Sequence, residues 1–288
     1  MKKFLAIILA TLLLVGTMAV FSSCGEDKNT NVKVIDIPLS EELYAFAVSK
    51  EDATLLTKVN EYLAQIKADG TFDAICDRYF GNSEPQKITS AKEDASKDQL
   101  VVATSTGFAP FEMVDEAGKF YGIDLEIAAG LAEYLGKELV IKDMKFESVV
   151  TSVQNKICDI GMAGLTITPA REEMVNFSAS YYNASQVLIV MEEDTTFDAC
   201  KTADDIVKIF DELTKDTKIG CQNGTTGEIY IVGDLDQGDD GYGFKGIPAT
   251  KMGYDYAALA VTAMRNGEIN YVILDNAPAN AIVKTVNK

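Results

Sequence analysis

The chain has 288 residues, no histidine, and a formal charge of −18 from 44 acidic against 26 basic residues. No basic block interrupts that acidity, which argues against nucleic acid as a partner. Its five cysteines show no metal-ligand spacing, so nothing in the composition supports a zinc site.

The chain opens "MKKFLAIILATLLLVGTMAVFSSCGEDKN". Lys2 and Lys3 precede an uncharged run from Phe4 to Val20, a signal-peptide pattern at the short edge of what spans a bilayer. The ending "FSSC" resembles the lipobox of bacterial lipoproteins, with Phe21 where Leu is usual. This predicts a lipoprotein signal peptide over residues 1–24, lipidation at Cys24 and a tether over 25–31. A plain secretory signal or an uncleaved anchor is the alternative. Either puts the remaining 264 residues outside the cytoplasmic membrane, enough for one large domain or two modest ones.

Residues 32–37, "VKVIDI", alternate as a strand stopped by Pro38, and "YAFAV" (44–48) is a second short strand. Leu55, Leu56, Val59, Tyr62, Leu63 and Ile66 recur at helical spacing, with Gly70 as a stop. Phe72, Ile75, Cys76, Tyr79 and Phe80 make a further apolar helix face before Gly81. Fifty such residues expose apolar faces that they cannot cover among themselves. Residues 82–97 then read as a frayed, polar tail.

After it, "QLVVAT" (99–104) is a strand and "GIDLEIAAGLAEYLG" a helix, with Asp124 placed to cap it and Gly136 to end it. "ELVIKDM", "DIGMAG", "SQVLIVM", "TKIGCQ" and "INYVILD" read as further strands. Between and after them, "FESVVTSVQNK", "TADDIVKIFDEL", "DYAALAVTAMRNG" and "APANAIVKTVNK" read as helices. Alternation of this kind predicts α/β architecture with largely parallel sheets. The acidic stretch 232–246 reads as turn and loop, without calcium-loop spacing. Export would permit a disulfide such as Cys200–Cys221; free thiols at Cys76, Cys158, Cys200 and Cys221 are the other reading.

Four passages carry a resemblance: "TSTGFAPFEMVDEAGKFYGIDLEIA", "CDIGMAGLTITPAREEMVNFSASYY", "GCQNGTTGEIY" and "NGEINYVILDNAPA". In this order and at these separations they resemble the extracytoplasmic amino-acid-binding proteins of ABC importers, the polar amino-acid type (solute-binding protein family 3), over about 99–288. In that family a strand, a crossover strand and two closing helices follow "DNAPA". Here such a segment stands at 32–81, so the resemblance implies a circular permutant whose old ends are joined by the linker 82–97. A duplicated leftover, or a swapped dimer, would explain the same segment. The implied fold is the two-lobed type II periplasmic-binding-protein fold with a ligand cleft between the lobes. Lobe one would comprise 49–189 (closing helices 49–81, linker 82–97, strand–helix half 98–189). Lobe two would comprise 192–288 plus 32–43, with crossings near 44–48 and 186–192.

The resemblance also implies a site. Arg171 and Thr166, with the amides of Gly224, Thr225 and Thr226, would take an α-carboxylate. Asp275 and the Gly164 carbonyl would take the ammonium; capping of the last helix is the plainer role for Asp275. Phe108 and Phe146 would be walls, Phe111 a core residue, and Ser105, Gln222 and Leu274 the residues choosing the side chain. Relatives for cationic or glutamine side chains commonly carry Asp at the Ser105 position, so Ser105 points to a neutral amino acid. The implied protein is a monomeric substrate-binding lipoprotein, anchored at Cys24. It needs no cofactor or metal and delivers a free amino acid to an ABC permease with its ATPase. Two alternatives stay open: a cyclohexadienyl/prephenate-type dehydratase with Glu112 or Asp275 as acid, and a ligand-sensing module for a membrane receptor.

Overall fold

The computed structural model describes residues 30–81, 83–234 and 242–288. The expected signal peptide, the lipidation at Cys24 and tether residues 25–29 lie outside them. Among the described residues, no helix is long and apolar enough to cross a membrane.

The front segment gives β1 (Val32–Ile35), β2 (Glu42–Tyr44), β3 (Ala47–Ser49), α1 (Ala53–Ala68) and α2 (Thr71–Phe80). Asp52 starts α1 by accepting from the Leu55 amide at 2.8 Å, and the helix buries Leu55, Val59, Tyr62, Leu63 and Ile66. Gly70, at φ +83°, makes the turn into α2 that a side chain would strain. Next come β4 (Gln99–Thr104), β5 (Met113–Val114), β6 (Phe120–Tyr121), α3 (Ile123–Leu135), β7 (Glu138–Asp143) and α4 (Phe146–Gln154). They are followed by β8 (Ile160–Gly161), α5 (Pro169–Glu172), β9 (Val175–Phe177), β10 (Tyr182–Ala184) and β11 (Gln186–Met191). The last part holds α6 (Ala203–Asp211), β12 (Lys218–Gln222), α7 (Thr226–Val232), β13 (Thr250–Tyr254), α8 (Ala257–Arg265), β14 (Tyr271–Asp275) and α9 (Asn276–Val286).

Two five-stranded sheets result, ordered β7-β4-β8-β3-β9 and β1-β11-β14-β12-β13. Their centres are parallel, as the alternation predicts: β4 with β7 and β8, β12 with β13 and β14. The front segment and the stretch before β11 make both sheets mixed. β3 lies antiparallel between β8 and β9, and β1 antiparallel on the edge beside β11. Val32, Phe46, Val48, Leu55 and Leu63 enter one apolar core with Leu100, Ile127, Ile189, Val272 and Leu274. The apolar faces of the front segment are thus covered by the rest of the same chain.

Several expectations shift. The single strand expected at 44–48 is two, with β2 pairing antiparallel to β10 (Tyr44 opposite Tyr182) in a ribbon separate from both sheets. Most of the stretch 186–192 is β11, a strand inside the second sheet, while β2 and β10 form a ribbon outside both sheets. Asp124 does not cap α3. Its carboxylate is buried, accepting from the Gly164 amide at 2.9 Å and the Tyr181 hydroxyl at 2.6 Å, while Gly122 stands at the helix start without a side-chain cap. Gly136 does end the helix, at φ +70°.

The linker is not frayed. Ile88 is 5% exposed and packs with Leu125 and Ile141, and it exchanges backbone bonds with Phe120 at 2.8 and 3.1 Å. Ala91 donates to the Leu139 carbonyl at 2.8 Å, and Lys97–Glu138 and Lys142–Glu93 pair at 2.9 and 2.8 Å. A polar sequence hides this because backbone bonds, polar side chains and a single buried apolar one do the docking. In the acidic stretch, Asp234 accepts from the amides of Tyr242 and Phe244; residues 235–241 lie outside the description. Cys76, Cys158, Cys200 and Cys221 are free, so the pairing of Cys200 with Cys221 is not made.

The ends of the described chain meet. The Asn287 side chain accepts from the Val32 amide at 3.0 Å and donates to the Val32 carbonyl at 2.7 Å. Replacing Asn287 by Ala leaves both groups of a buried strand end unpaired. The expected cost is about 1–3 kcal/mol, read as a lower denaturant midpoint at unchanged slope. A second expectation concerns Asp124, whose pKa burial raises to about 7 against the opposing bonds from Gly164 and Tyr181. The folded state then keeps a proton that the unfolded chain releases near about pH 4, so this contribution to stability is full below about pH 4 and is lost as pH rises through 7. Asp124→Asn is expected to remove that part of the pH dependence. Melting curves of parent and variant between about pH 4 and pH 8 test it.

Candidate functional site: a buried arginine and two carboxylates between the sheets

In α/β sheets, ligands bind off the carboxyl ends of the parallel strands. The expected site residues gather there: Ser105 just past β4, Gly164 and Thr166 past β8, Thr225 and Thr226 past β12, and Asp275 closing β14.

Arg171 is the anchor. Thr168 accepts from its amide at 3.3 Å and Pro169 opens the short helix α5, which fixes the backbone below the side chain. Arg171 is 7% exposed. Nη1 donates to the Thr166 carbonyl of its own lobe at 2.7 Å, and Nη2 to the Gly224 carbonyl of the other at 2.9 Å. Cζ lies 5.3 Å from the Phe146 ring centroid, a cation–π distance. Burial draws its pKa down, opposed chiefly by the charges of Glu42 and Asp275. Gly224 makes the close approach from the second lobe at φ +74°, where an added Cβ would come within 2.9 Å of the Glu147 side chain.

Asp275 stands at the N-cap position of α9 but makes no side-chain cap bond. It turns inward at 4% exposure and accepts from the Tyr44 hydroxyl at 2.6 Å. Burial, then the nearby Glu42 charge, raises its pKa to about 7. Gly164 has φ +54°, and a Cβ there would meet the Phe108 ring at 2.9 Å. Phe108 itself is 6% exposed. Phe111 is fully buried and packs edge-on against Tyr44 and Tyr182. The Ser105 hydroxyl is buried without a hydrogen-bond partner among the described residues. Gln222 donates to the Asp255 carbonyl at 3.2 Å, and Leu274 is in the core.

Glu42, in β2, joins the site without any sequence motif to mark it. At 2% exposure, its Oε2 accepts from the hydroxyls of Thr166 and Thr226, both at 2.7 Å. Its Oε1 accepts from Ser40 Oγ at 2.7 Å and Gln186 Nε2 at 3.1 Å. The hydroxyls of Thr166 and Thr226 are therefore spent on Glu42, and that of Thr225 on the Gln222 carbonyl at 2.8 Å. What stays available for an anion is main-chain N–H and the remaining guanidinium N–H. A signal did exist: in a strand, Glu42 shares the face of Tyr44.

Glu112 is fully buried, with both carboxylate oxygens unpartnered among the described residues. Burial, then Asp124 and Asp275, push its pKa well up. The Cys221 thiol is likewise raised by burial, to about 12.

Residues 100–276 match the model of the bacterial extracellular solute-binding proteins, family 3. The arginine-binding extracellular protein of Bacillus subtilis is 34% identical over 113 residues, which are 39% of this chain and 44% of that protein. ABC transporter arginine-binding protein 1 of Escherichia coli is 27% identical over 191 residues, 66% of this chain and 69% of that one. The chain thus spans less than half of the first relative's length and just over two thirds of the second's. Among solved structures, an ancestral arginine-binding protein bound to arginine gives a TM-score of 0.54 at 29% identity, covering 66% of this chain and 75% of its own. An ancestral amino-acid-binding precursor of cyclohexadienyl dehydratase gives 0.53 at 24% identity, over 75% and 78%, a likeness of fold alone. With the family model matched over more than half its length and two-lobed neighbours of this fold, the chain belongs to the bacterial extracellular solute-binding proteins, family 3, and has their type II periplasmic-binding fold.

Proposed function

We propose that the chain is the substrate-binding component of an amino-acid ABC importer, catching a free L-amino acid with a neutral side chain by closure of its lobes. The observation that carries this is Arg171, which is held from both sides of the cleft. The α-carboxylate sits against its remaining N–H groups and the amides of Thr225 and Thr226, with Thr166 alongside. The ammonium sits against Asp275 and the Gly164 carbonyl, between the Phe108 and Phe146 walls. Ser105 presents a neutral hydroxyl at the end of β4, where a cationic side chain would need a carboxylate. Gln222 completes that end of the cleft. Only the closed state offers both sets of contacts, so ligand shifts the population toward it, and the closed form is the one handed to the permease.

The permuted chain order belongs to the same reading. Four observations support it. β1, β3, α1 and α2 complete the two lobes within one chain, the linker is docked, and Asn287 pairs with Val32. A solved relative aligned over 66% of this chain and 75% of its own leaves a remainder on both sides, as one displaced segment would. The reading is of a monomer, lipid-anchored at Cys24 on the outer face of the cell membrane. A dehydratase would need a general acid at its substrate; Glu112 is sealed, and this reading gives Asp275 to the ammonium.

Thermal unfolding against the twenty amino acids singly tests the reading. One or a few neutral ones, at a hundred times their dissociation constant, should add about 2.7 kcal/mol of stability, and none should do so for Arg171→Ala. Stabilisation by arginine alone would overturn the neutral assignment; stabilisation by none would overturn the function. Binding should also depend on pH. An ammonium beside Asp275 favours its carboxylate, whose pKa is about 7 without that neighbour. Affinity is then expected to rise as pH increases through 7 and to fall below it, with proton release on binding near neutrality. Calorimetry in buffers of different ionisation heat measures this, and Asp275→Asn should abolish the proton release.

A further inference from the structure

The carboxylate of Glu42 collects donors from elements that must move relative to one another. Thr166 belongs to the lobe of β8 and Thr226 to the lobe of β12, yet both hydroxyls end on the same oxygen at 2.7 Å. The second oxygen is tied by Ser40 and Gln186, and Gln186 also donates to Thr226 Oγ1 at 3.1 Å. Glu42 lies in the β2–β10 ribbon, outside both sheets. A hydroxyl has one proton, so neither threonine can give its proton to Glu42 and to a ligand at once. Opening the cleft must separate Thr166 from Thr226 and take at least one of these charge-assisted bonds apart. None of the contacts of Glu42 requires a ligand.

We infer that Glu42 is a positioning residue of the clamp: a latch that joins the two threonine turns in the closed state and so lets the unliganded protein close. This deepens the proposed function by naming what sets the open–closed balance of that same site. Glu42 acts through Thr166 and Thr226, holding their hydroxyls toward itself, so that their main chain and Arg171 face the ligand already in register. Ligand then closes a cleft that the protein has partly closed by itself, which raises affinity by the competent fraction. The rival role for a carboxylate here, standing in for the ligand's own and competing with it, predicts the same opening without ligand but compaction at a lower, not a higher, ligand concentration once the carboxylate is removed.

The test is small-angle scattering of the parent and of Glu42→Gln, first without ligand and then titrated with an equimolar mixture of the common amino acids. The variant keeps the size of the side chain but loses the charge that both hydroxyls seek. Without ligand, its radius of gyration should exceed that of the parent; at saturation the two should coincide. The concentration for half-maximal compaction should rise roughly tenfold or more, as for loss of hydrogen bonds to a charged group. A side chain that merely supports the fold would lower the melting temperature and leave this comparison unmoved. Thr226→Val removes only the second lobe's donor and should act in the same direction, adding little on top of Glu42→Gln. It also serves alone if Glu42→Gln does not fold. Equal unliganded radii, or compaction at lower concentration in either variant, would overturn the inference. The unliganded comparison uses no amino acid, so it decides the latch even if the mixture leaves the parent unchanged and the proposed ligand class fails.

Discussion

A guanidinium taken almost wholly out of water needs partners on every side, because an isolated buried charge is among the costliest things a fold can contain. Arg171 finds them in two lobes at once: carbonyls from Thr166 and Gly224, the face of Phe146, and the field of Glu42 and Asp275. No single sheet could supply that set. The cation is tolerable only where the turns past β8 and β12 come together. The mixed topology of both sheets, the tight approach at Gly224 and the inward turn of Asp275 all serve that meeting.

The carboxylates follow a related logic. Asp124, Asp275 and Glu112 are each buried with a raised pKa, and each deals with its charge differently. Asp124 takes an amide and a phenol proton, Asp275 takes a phenol, and Glu112 has no partner among the described residues. Glu42 instead takes four donors. A chain this acidic places part of its excess inside, where neutral donors balance it, and Tyr44 and Tyr181 serve as much by their hydroxyls as by their rings.

Much of the fold was legible because the centre of each sheet is written in unbroken apolar runs. "QLVVAT" became β4 residue for residue, and the helical spacing of Leu55 to Ile66 became the buried face of α1. What stayed hidden involved two to five residues, too few to show a period: β5, β6, α5, β9, β10 and β13. The β2–β10 ribbon misled because β2 inverts the usual rule, burying Glu42 and Tyr44 while Leu43 between them is 46% exposed. Glu41 and Glu42 are adjacent and identical in type, one exposed and one sealed, and only tertiary contacts tell them apart. Asp124 matched a capping pattern, but a buried amide and a phenol claimed it. Of the residues singled out for the cleft, Arg171, Phe146, Thr166, Thr226 and Asp275 are joined through shared partners, whereas Ser105 and Gln222 are buried without touching that network through any hydrogen bond described above.

The seam between Val32 and Asn287 bears on how the protein acquires its shape. Its two bonds join residues 255 positions apart, and β1 pairs with a strand that begins about 150 residues later in the chain. Contacts so distant in sequence must wait for the costly closure of very long loops, which slows folding and leaves apolar surface uncovered meanwhile. β1 can be placed only once β11 exists to receive it, and its first residue is capped only once Asn287 has come back to it, so this edge of the second sheet is assembled from both ends of the described chain.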